Sequence, residues 1–328
     1  MKSPNIYSRF SHLYNFLKQQ AIHVLDIGGR GGPIEDLKGF SYIADLIIVE
    51  PEPKERKRLE NECSLTEEWN SLTLIEKILA ESNGKYRLNI CVQPGLSSLY
   101  LPNMSVISQY YSDSSDWAVE NSVNLPGDTL SSQLKKANLE DSLDILKLDT
   151  QGSELSIIKS LNSDSLSNVK LVYVESELQE FYQGQPLSGD LHQFMAENAF
   201  TILDIKKTKL RANSDVELAF SRQESVWLHL CYINSKCLTN LSLDLKSIAC
   251  LIAAGYLDRA AVYLSNTKLL PQADKELILK DLKEFSKHQF RKNKIKKLKS
   301  LLRQFCSGIN ATSTSFISQD KWSDQTIL

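Results

Sequence analysis

The stretch Val24 to Gly32, reading VLDIGGRGG, constrains the fold of this chain more than any other. An apolar run from Ile22 to Ile27 is interrupted only by His23 and Asp26. It then breaks into Gly28, Gly29, Gly31 and Gly32, with Pro33 behind them. Proline is favoured at the first position of a helix. The pattern predicts a buried strand, a tight turn and a helix start. Glycine has no side chain and tolerates positive φ, so backbone at such a turn approaches a ligand closely. A helix after it would offer free N–H groups and a partial positive charge to an anion.

Two ligand classes use this device: dinucleotides and S-adenosylmethionine. The dinucleotide fingerprint G-x-G-x-x-G does not fit. Counted from Gly29, its third glycine falls on Ile34; counted from Gly28, its second falls on Arg30. Asp26, two residues before the first glycine, would repel a pyrophosphate. It suits the cationic methionyl end of S-adenosylmethionine, which Asp26, Gly28 and Gly32 would hold by position. Glu50 closes the second apolar run, Leu46-Ile47-Ile48-Val49. An acid there can accept both ribose hydroxyls. A helix-capping role for Glu50 before Pro51 is the plain alternative.

The 328 residues allow one large domain or two. With 42% hydrophobic and 24% charged residues the chain reads as globular, and a net charge of −2 gives no general bias toward nucleic acid or membrane. The charge is unevenly spread. Lys236 to Arg303 holds 15 Lys and Arg against 6 Asp and Glu, which suggests two parts. The six cysteines form no C-x-x-C and no His/Cys group at ligand spacing, so neither zinc nor a disulfide framework is expected. Reduced thiols, no apolar leader and no 18-residue apolar window predict a cytoplasmic protein without a spanning helix.

Periodicity predicts a helix over Ser8–Gln19 covering the edge of a sheet, then strands at Ile22–Ile27, Ala44–Glu50 and Thr73–Leu79. Tyr86 to Val92 alternates and is expected to pair with Leu99–Leu101. Met104–Asn121, polar with Tyr110, Tyr111 and Trp117, reads as a mobile segment or lid. A helix over Leu130–Ala137 is capped by Asp128 or Thr129. Strands follow at Leu143–Leu148, Val169–Val174, Phe200–Ile205 and Ser225–Ile233, with helices at Glu154–Leu161 and Leu191–Asn198. This alternation predicts an α/β fold with a seven-stranded doubly wound sheet. Two helices around Gly255 and one or two over Lys275–Arg303 form a C-terminal α-helical appendage. The expected division is an N-terminal helical extension over 1–20, a cofactor-binding domain over 21–235, a basic helical appendage over 236–306, and a Ser/Thr-rich disordered tail over 307–328.

Asp26, Glu50, Asp149 and Glu175 all fall at predicted strand ends, where doubly wound sheets bind ligands. At Asp149 the pattern becomes specific. Leu146-Lys147-Leu148-Asp149-Thr150-Gln151-Gly152-Ser153-Glu154 resembles the LKxDxxGxE signature of the FkbM family of S-adenosylmethionine-dependent methyltransferases. VLDIGGRGG is similar to that family's glycine turn, Ile48-Val49-Glu50-Pro51 to its strand-two end, and Ser97-Ser98-Leu99-Tyr100 to a serine pair before its lid. The resemblance runs from about residue 20 to 235. Two positions depart from it: Arg30 stands where the family often has Asn, and Gln151 where it often has an acid. The resemblance implies a Rossmann-like class I methyltransferase fold and O-methylation of a sugar, glycan or natural-product hydroxyl. It also implies that Glu81 contacts the adenine amine.

Asp149 follows strand four and would lie nearest the transferred methyl group, orienting cofactor or acceptor. Asp149, Glu177 and His192 are the candidates for a general base. Glu154 is expected to close the turn structurally. The basic run Lys287 to Arg303 reads first as a solvated helix face. Second, it reads as a dock for an anionic membrane or a lipid-linked glycan. Nucleic acid ranks third, because no aromatics are interleaved with the charges. A methyltransferase-like domain without turnover, acting as a scaffold, is the alternative to an enzyme.

Overall fold

A computed structural model describes residues 5–216, 218, 220–239 and 244–307. Among these residues the apolar runs form ten strands. They are β1 Ile22–Ile27, β2 Ala44–Val49, β3 Leu72–Ile75, β4 Ile78–Leu79, β5 Gly84–Cys91, β6 Val119–Asp128, β7 Ile145–Leu148, β8 Leu171–Glu177, β9 Phe200–Leu210 and β10 Glu224–Asn234. Seven of them build one sheet in the order β3-β2-β1-β7-β8-β10-β9. β3, β2, β1, β7 and β8 run parallel, and β10 is antiparallel to both of its neighbours. Strand order reverses between β1 and β7. That is the switch point where such sheets open a crevice for a ligand.

β1, β2 and β7 are nearly all buried, as strands covered on both faces must be. On one face Leu25, Ile27, Val49, Leu148 and Val174 pack against helices Leu130–Lys136, Glu154–Lys159 and Ser188–Glu197. Thr129 caps the first of these helices, its hydroxyl accepting the Ser132 N–H at 3.1 Å.

The glycine turn does not lead into an α-helix. Ile34 stays extended, and Glu35–Phe40 forms a short 3-10 turn. Leu37 and Phe40, three apart and both fully buried, suit three residues per turn. The expected strand over Thr73–Leu79 splits. β3 joins the main sheet, while β4 joins a second, three-stranded sheet of order β4-β6-β5. β5 pairs antiparallel with β6 along its length and meets the Leu99–Leu101 neighbourhood through an isolated Asn89–Ser98 bridge and an Asn89 side-chain bond to the Tyr100 carbonyl, not through a strand. β6 is rich in polar residues and mostly exposed, so it carries no apolar alternation.

The Met104–Asn121 segment is packed, contrary to the expected lid. Ile107 and Trp117 are buried with Phe181, Tyr182 and Val226. Trp117 stacks on Phe181 at 5.8 Å, and Phe181 meets Trp227 edge-on at 5.5 Å. These contributors come from three distant segments, so no local periodicity announces them.

The described chain divides into two units, the sheet domain and an all-helical unit. The N-terminal helix Ser11–Lys18, expected with the sheet, belongs to the helical unit, where it packs on the long helix Gln272–Ser307. Asp281 on the long helix accepts the N–H groups of His12 at 2.8 Å and Leu13 at 3.1 Å, and so caps the short one. Tyr7 stacks on Phe285 at 5.2 Å. Helices Leu245–Ala253 and Leu257–Asn266 flank Gly255, and Asp244 caps the first. Arg291, Lys292, Lys294, Lys297 and Lys299 are exposed along the long helix. The expected disordered tail from residue 308 onward lies outside the described residues. Among the described residues no helix is long and apolar enough to cross a membrane.

The packed state of Trp117 is testable by urea denaturation. Trp117→Ala should cost about 3–5 kcal/mol, the usual loss for a buried tryptophan. An unchanged midpoint would mean that the segment lies loose on the surface.

Candidate active site

A cleft of about 240 Å³ opens at the carboxyl ends of β1, β2 and β7. Gly28, Arg30, Glu50 and Glu52 line one side, and Asp149, Thr150 and Gln151 the other. Val49, Ile78, Leu79, Leu88 and Ile90 give it an apolar wall. The second sheet thus contributes to the cleft, which the sequence pattern did not anticipate.

Glu50 is 5% exposed at the end of β2. Its Oε1 accepts the Glu52 N–H at 2.9 Å. Burial pushes its carboxyl upward, against the pull of that N–H and of Arg30. Arg30 pairs with Glu52, so the arginine in the glycine turn neutralises the second acid of the rim.

Asp26 is fully buried beneath this floor. Lys147 Nζ lies 3.0 Å from Asp26 Oδ1, 3.7 Å from Asp149 Oδ2, and 3.2 Å from the Gly28 carbonyl oxygen, to which it donates. Burial works against this ammonium, but Asp26 and Asp149 outweigh it and hold Lys147 above its ordinary range. Gly28 sits at φ +77, and a Cβ there would lie 1.8 Å from the Asp149 carbonyl oxygen. The β1 and β7 turns are therefore in backbone contact, and only glycine fits between them.

The turn after β7 closes on Glu154. This buried acid accepts the Thr150 N–H at 2.5 Å and the Gly152 N–H at 3.0 Å. Gln151, at φ +60, is held in the left-handed region. Its Nε2 donates to Asp149 Oδ1 at 2.8 Å, its Oε1 accepts from the Tyr182 hydroxyl at 2.9 Å, and its carbonyl accepts from Ser98 Oγ at 2.6 Å.

Of the residues singled out from sequence, Gly28, Glu50 and Asp149 line the cleft, and Asp26 lies directly under it. Gly32 and Glu81 are not among the lining residues; Glu81 is exposed in the turn after β4. Glu177 is buried away from the cleft, its Oε2 accepting from Gln185 at 2.7 Å. His192 is exposed on helix Ser188–Glu197 and stacks on Tyr232, whose side chain belongs to the helix-covered face. Side chains alternate along a strand, so His192 lies on the opposite face of the sheet from Lys147. Lys147, Arg30 and the second-sheet wall went unassigned. A lysine inside an apolar strand was the available signal for the first, since a buried charge requires partners. Among the described residues no group of three or more His, Cys, Asp or Glu side chains is placed to hold a metal ion.

In chain order the main sheet reads 3-2-1-4-5-7-6 with its seventh strand antiparallel, and the cleft lies at its switch point. This is the architecture of a class I methyltransferase. The model of the methyltransferase FkbM domain matches residues 38–202, half of the sequence, and the chain belongs to that family. The match begins after the glycine turn. Two solved structures match the chain at low similarity. One is a candidate tRNA (m1A22) methyltransferase of Streptococcus pneumoniae, 13% identical with a TM-score of 0.32, covering 87% of this chain and 99% of that one. The other is a candidate RNA methyltransferase of Pyrococcus horikoshii, 11% identical with a TM-score of 0.28, covering 71% and 90%. No curated protein matches the chain.

Two expectations follow from this geometry. Gly28→Ala and Gly31→Ala both place alanine at positive φ, but Gly31 faces open space. Gly31→Ala should cost about 1–2 kcal/mol in denaturant titrations, and Gly28→Ala clearly more, because the β1 and β7 turns must separate. Equal losses would remove the backbone contact as the reason for the glycine. The second expectation concerns pH. Burial and the neighbouring Glu154 push Glu177 up to about 8. The folded chain binds this proton more tightly than the unfolded one. Its stabilisation is therefore complete below the ordinary carboxylate range and is lost as pH rises toward about 8. Glu177→Gln should flatten the decline in stability between pH 5 and 8 by more than about 1 kcal/mol; parallel wild-type and variant curves would refute it.

Proposed function

We propose that this methyltransferase uses S-adenosylmethionine and methylates a hydroxyl group on a sugar, glycan or natural product. The observation that carries the cofactor is that two carboxylates at the ends of separate strands, Glu50 and Asp149, line one cleft at the switch point together with an apolar wall. This donor set fits a ligand with ribose hydroxyls at one end, a flat aromatic base beside the wall and a cationic centre at the other end. When bound, the cofactor supplies an electrophilic methyl group on a sulfonium.

In this reading Glu50 accepts the ribose hydroxyls as charge-assisted bonds. Val49, Ile78 and Leu79 flank the base. Asp149, steadied by Lys147 and Gln151, faces the methionyl end. Asp26 acts from beneath by fixing Lys147. Methyl transfer is an in-line displacement, so most of the protein's work is alignment and exclusion of water. Alignment supplies as much as about 7–11 kcal/mol in well-oriented systems. A hydroxyl acceptor also has to lose a proton. The family resemblance supports the hydroxyl; the geometry of the cleft supports the cofactor.

Titration calorimetry tests the cofactor. Wild type should bind S-adenosylmethionine, and Glu50→Ala should weaken binding about 10- to 100-fold, the worth of charged hydrogen bonds of about 1.5–3 kcal/mol. No heat at millimolar cofactor, or binding indifferent to Glu50→Ala, would overturn the reading.

A further inference from the structure

Beyond Gln151 a row of polar side chains continues along the same edge of the sheet. Leu148 on β7 pairs with Val174 on β8, so the next step places Asp149 beside Glu175. Glu175 is in register with His229 on β10. His229 Nδ1 lies 3.2 Å from Glu175 Oε2. Gln151 Nε2 bridges the row, 2.8 Å from Asp149 Oδ1 and 3.4 Å from Glu175 Oε1. Hydrogen bonds from Gln151 thus join Asp149 to Glu175, and an ion-pair contact joins Glu175 to His229, across three adjacent strands. The imidazole is 37% exposed while the carboxylate behind it is 15% exposed. The inner nitrogen of the ring is therefore anchored, and the ring still reaches solvent.

We propose that His229 is the general base of the transfer and that Glu175 positions it; the proposal rests on the hydroxyl-transfer reading above. The acceptor oxygen forms its bond to the methyl carbon as the carbon–sulfur bond breaks, with that electron pair going to sulfur. The hydroxyl proton passes to His229 Nε2, and Glu175 holds the Nδ1–H. The products are a methyl ether, a neutral thioether and an imidazolium ion that Glu175 balances until it releases its proton to water.

The other candidates are worse placed. Asp149 lines the cleft but is already engaged by Lys147 and Gln151, Glu177 is buried against Gln185, and His192 lies on the other face of the sheet; His229 and Glu175 are not among the lining residues and reach the cleft edge through Gln151 and Asp149. The groups facing His229 are Lys147 and Asp149 from the β7 side, Glu175 on β8, and Lys206 and Thr208 on β9. Thr208 Oγ1 lies 3.3 Å from Nε2 and marks where an acceptor hydroxyl would sit. Lys206 is paired with Asp36 at 3.5 Å. Burial, aided by Lys206 and Lys147 and opposed by Asp149, holds the imidazole below its usual range, so it is unprotonated at neutral pH. A lone histidine within an apolar strand carries no such message in sequence. The strand register gives it its partner.

The test follows labelled methyl transfer from S-adenosylmethionine to a panel of nucleoside-diphosphate sugars and methyl glycosides, alongside calorimetric binding of the cofactor. His229→Gln should keep cofactor affinity within about twofold, lower kcat about 100-fold or more, and abolish the acidic limb of the pH profile. Glu175→Gln should keep part of the activity and move that limb to lower pH, because the carboxylate that favours the imidazolium is gone. Added imidazole should restore part of the activity of His229→Ala, which a purely structural role would not allow. Normal kcat and an intact limb in His229→Gln would overturn the base alone. Wild type that binds the cofactor yet methylates no hydroxyl in the panel would overturn the hydroxyl reading and the base together.

Discussion

The ammonium of Lys147 is the constraint on which the cleft depends. It is buried between β1 and β8, with almost none of the side chain reaching water. A buried lysine survives only if its partners are fixed. Here they are a carboxylate on the β1 strand, a carboxylate at the end of β7, and the carbonyl of the first glycine in the turn. One cation thereby ties together the two turns that form the cleft floor. The contact of Gly28 with the Asp149 carbonyl leaves these turns no slack. Taking away either charge would leave the other buried without compensation, which typically costs about 3–5 kcal/mol. The lysine in the LKxDxxGxE signature is thus explained by the floor it holds, with no need for contact with a ligand.

The same crowding divides the acids by role. Five carboxylates, Asp26, Asp149, Glu154, Glu175 and Glu177, gather around the ends of β1, β7 and β8. Glu154 is consumed by backbone N–H groups of its own turn, and Glu177 by Gln185. Asp26 is consumed by Lys147. Glu175 is pushed upward by burial and by its acidic neighbours, and it lies beside His229. Glu50 and Asp149 remain turned toward the cleft. Sequence position alone would assign all of these acids alike. Their burial and partners separate them.

Legibility in the sequence followed the range of the interactions. β1, β2, β7 and the helix after β7 are written as local periodicity, and the strands were readable because both of their faces are buried. The glycine turn and the acids at Glu50 and Asp149 were readable because their spacing is local to one strand end each. β6 escaped because a half-exposed strand rich in Asn and Ser has no apolar alternation. The aromatic cluster of Trp117, Phe181 and Trp227 escaped because its members meet only after folding. His229 escaped for the same reason: it is one residue in a run of strand formers until β8 places Glu175 across from it. Local chemistry was legible, and chemistry made by register was not.

The departure at Pro33 bears on ligand choice more than the positions that met expectation. A helix starting there would have pointed N–H groups and a positive dipole end into the cleft. The 3-10 turn Glu35–Phe40 provides neither, because Ile34 remains extended and the buried pair Leu37 and Phe40 draws the segment against the core. The guanidinium of Arg30 is spent on Glu52, and the ammonium of Lys147 on two aspartates. Lys77 also lines the cleft, so its wall carries three carboxylates, Glu50, Glu52 and Asp149, against two cations, one of which is spent on Glu52. A pyrophosphate would meet that surface at a Coulombic cost, and a sulfonium would meet it at a gain. The excess of carboxylates in the cleft and the failed dinucleotide spacing at Arg30 and Ile34 are separate supports for the cationic ligand proposed above.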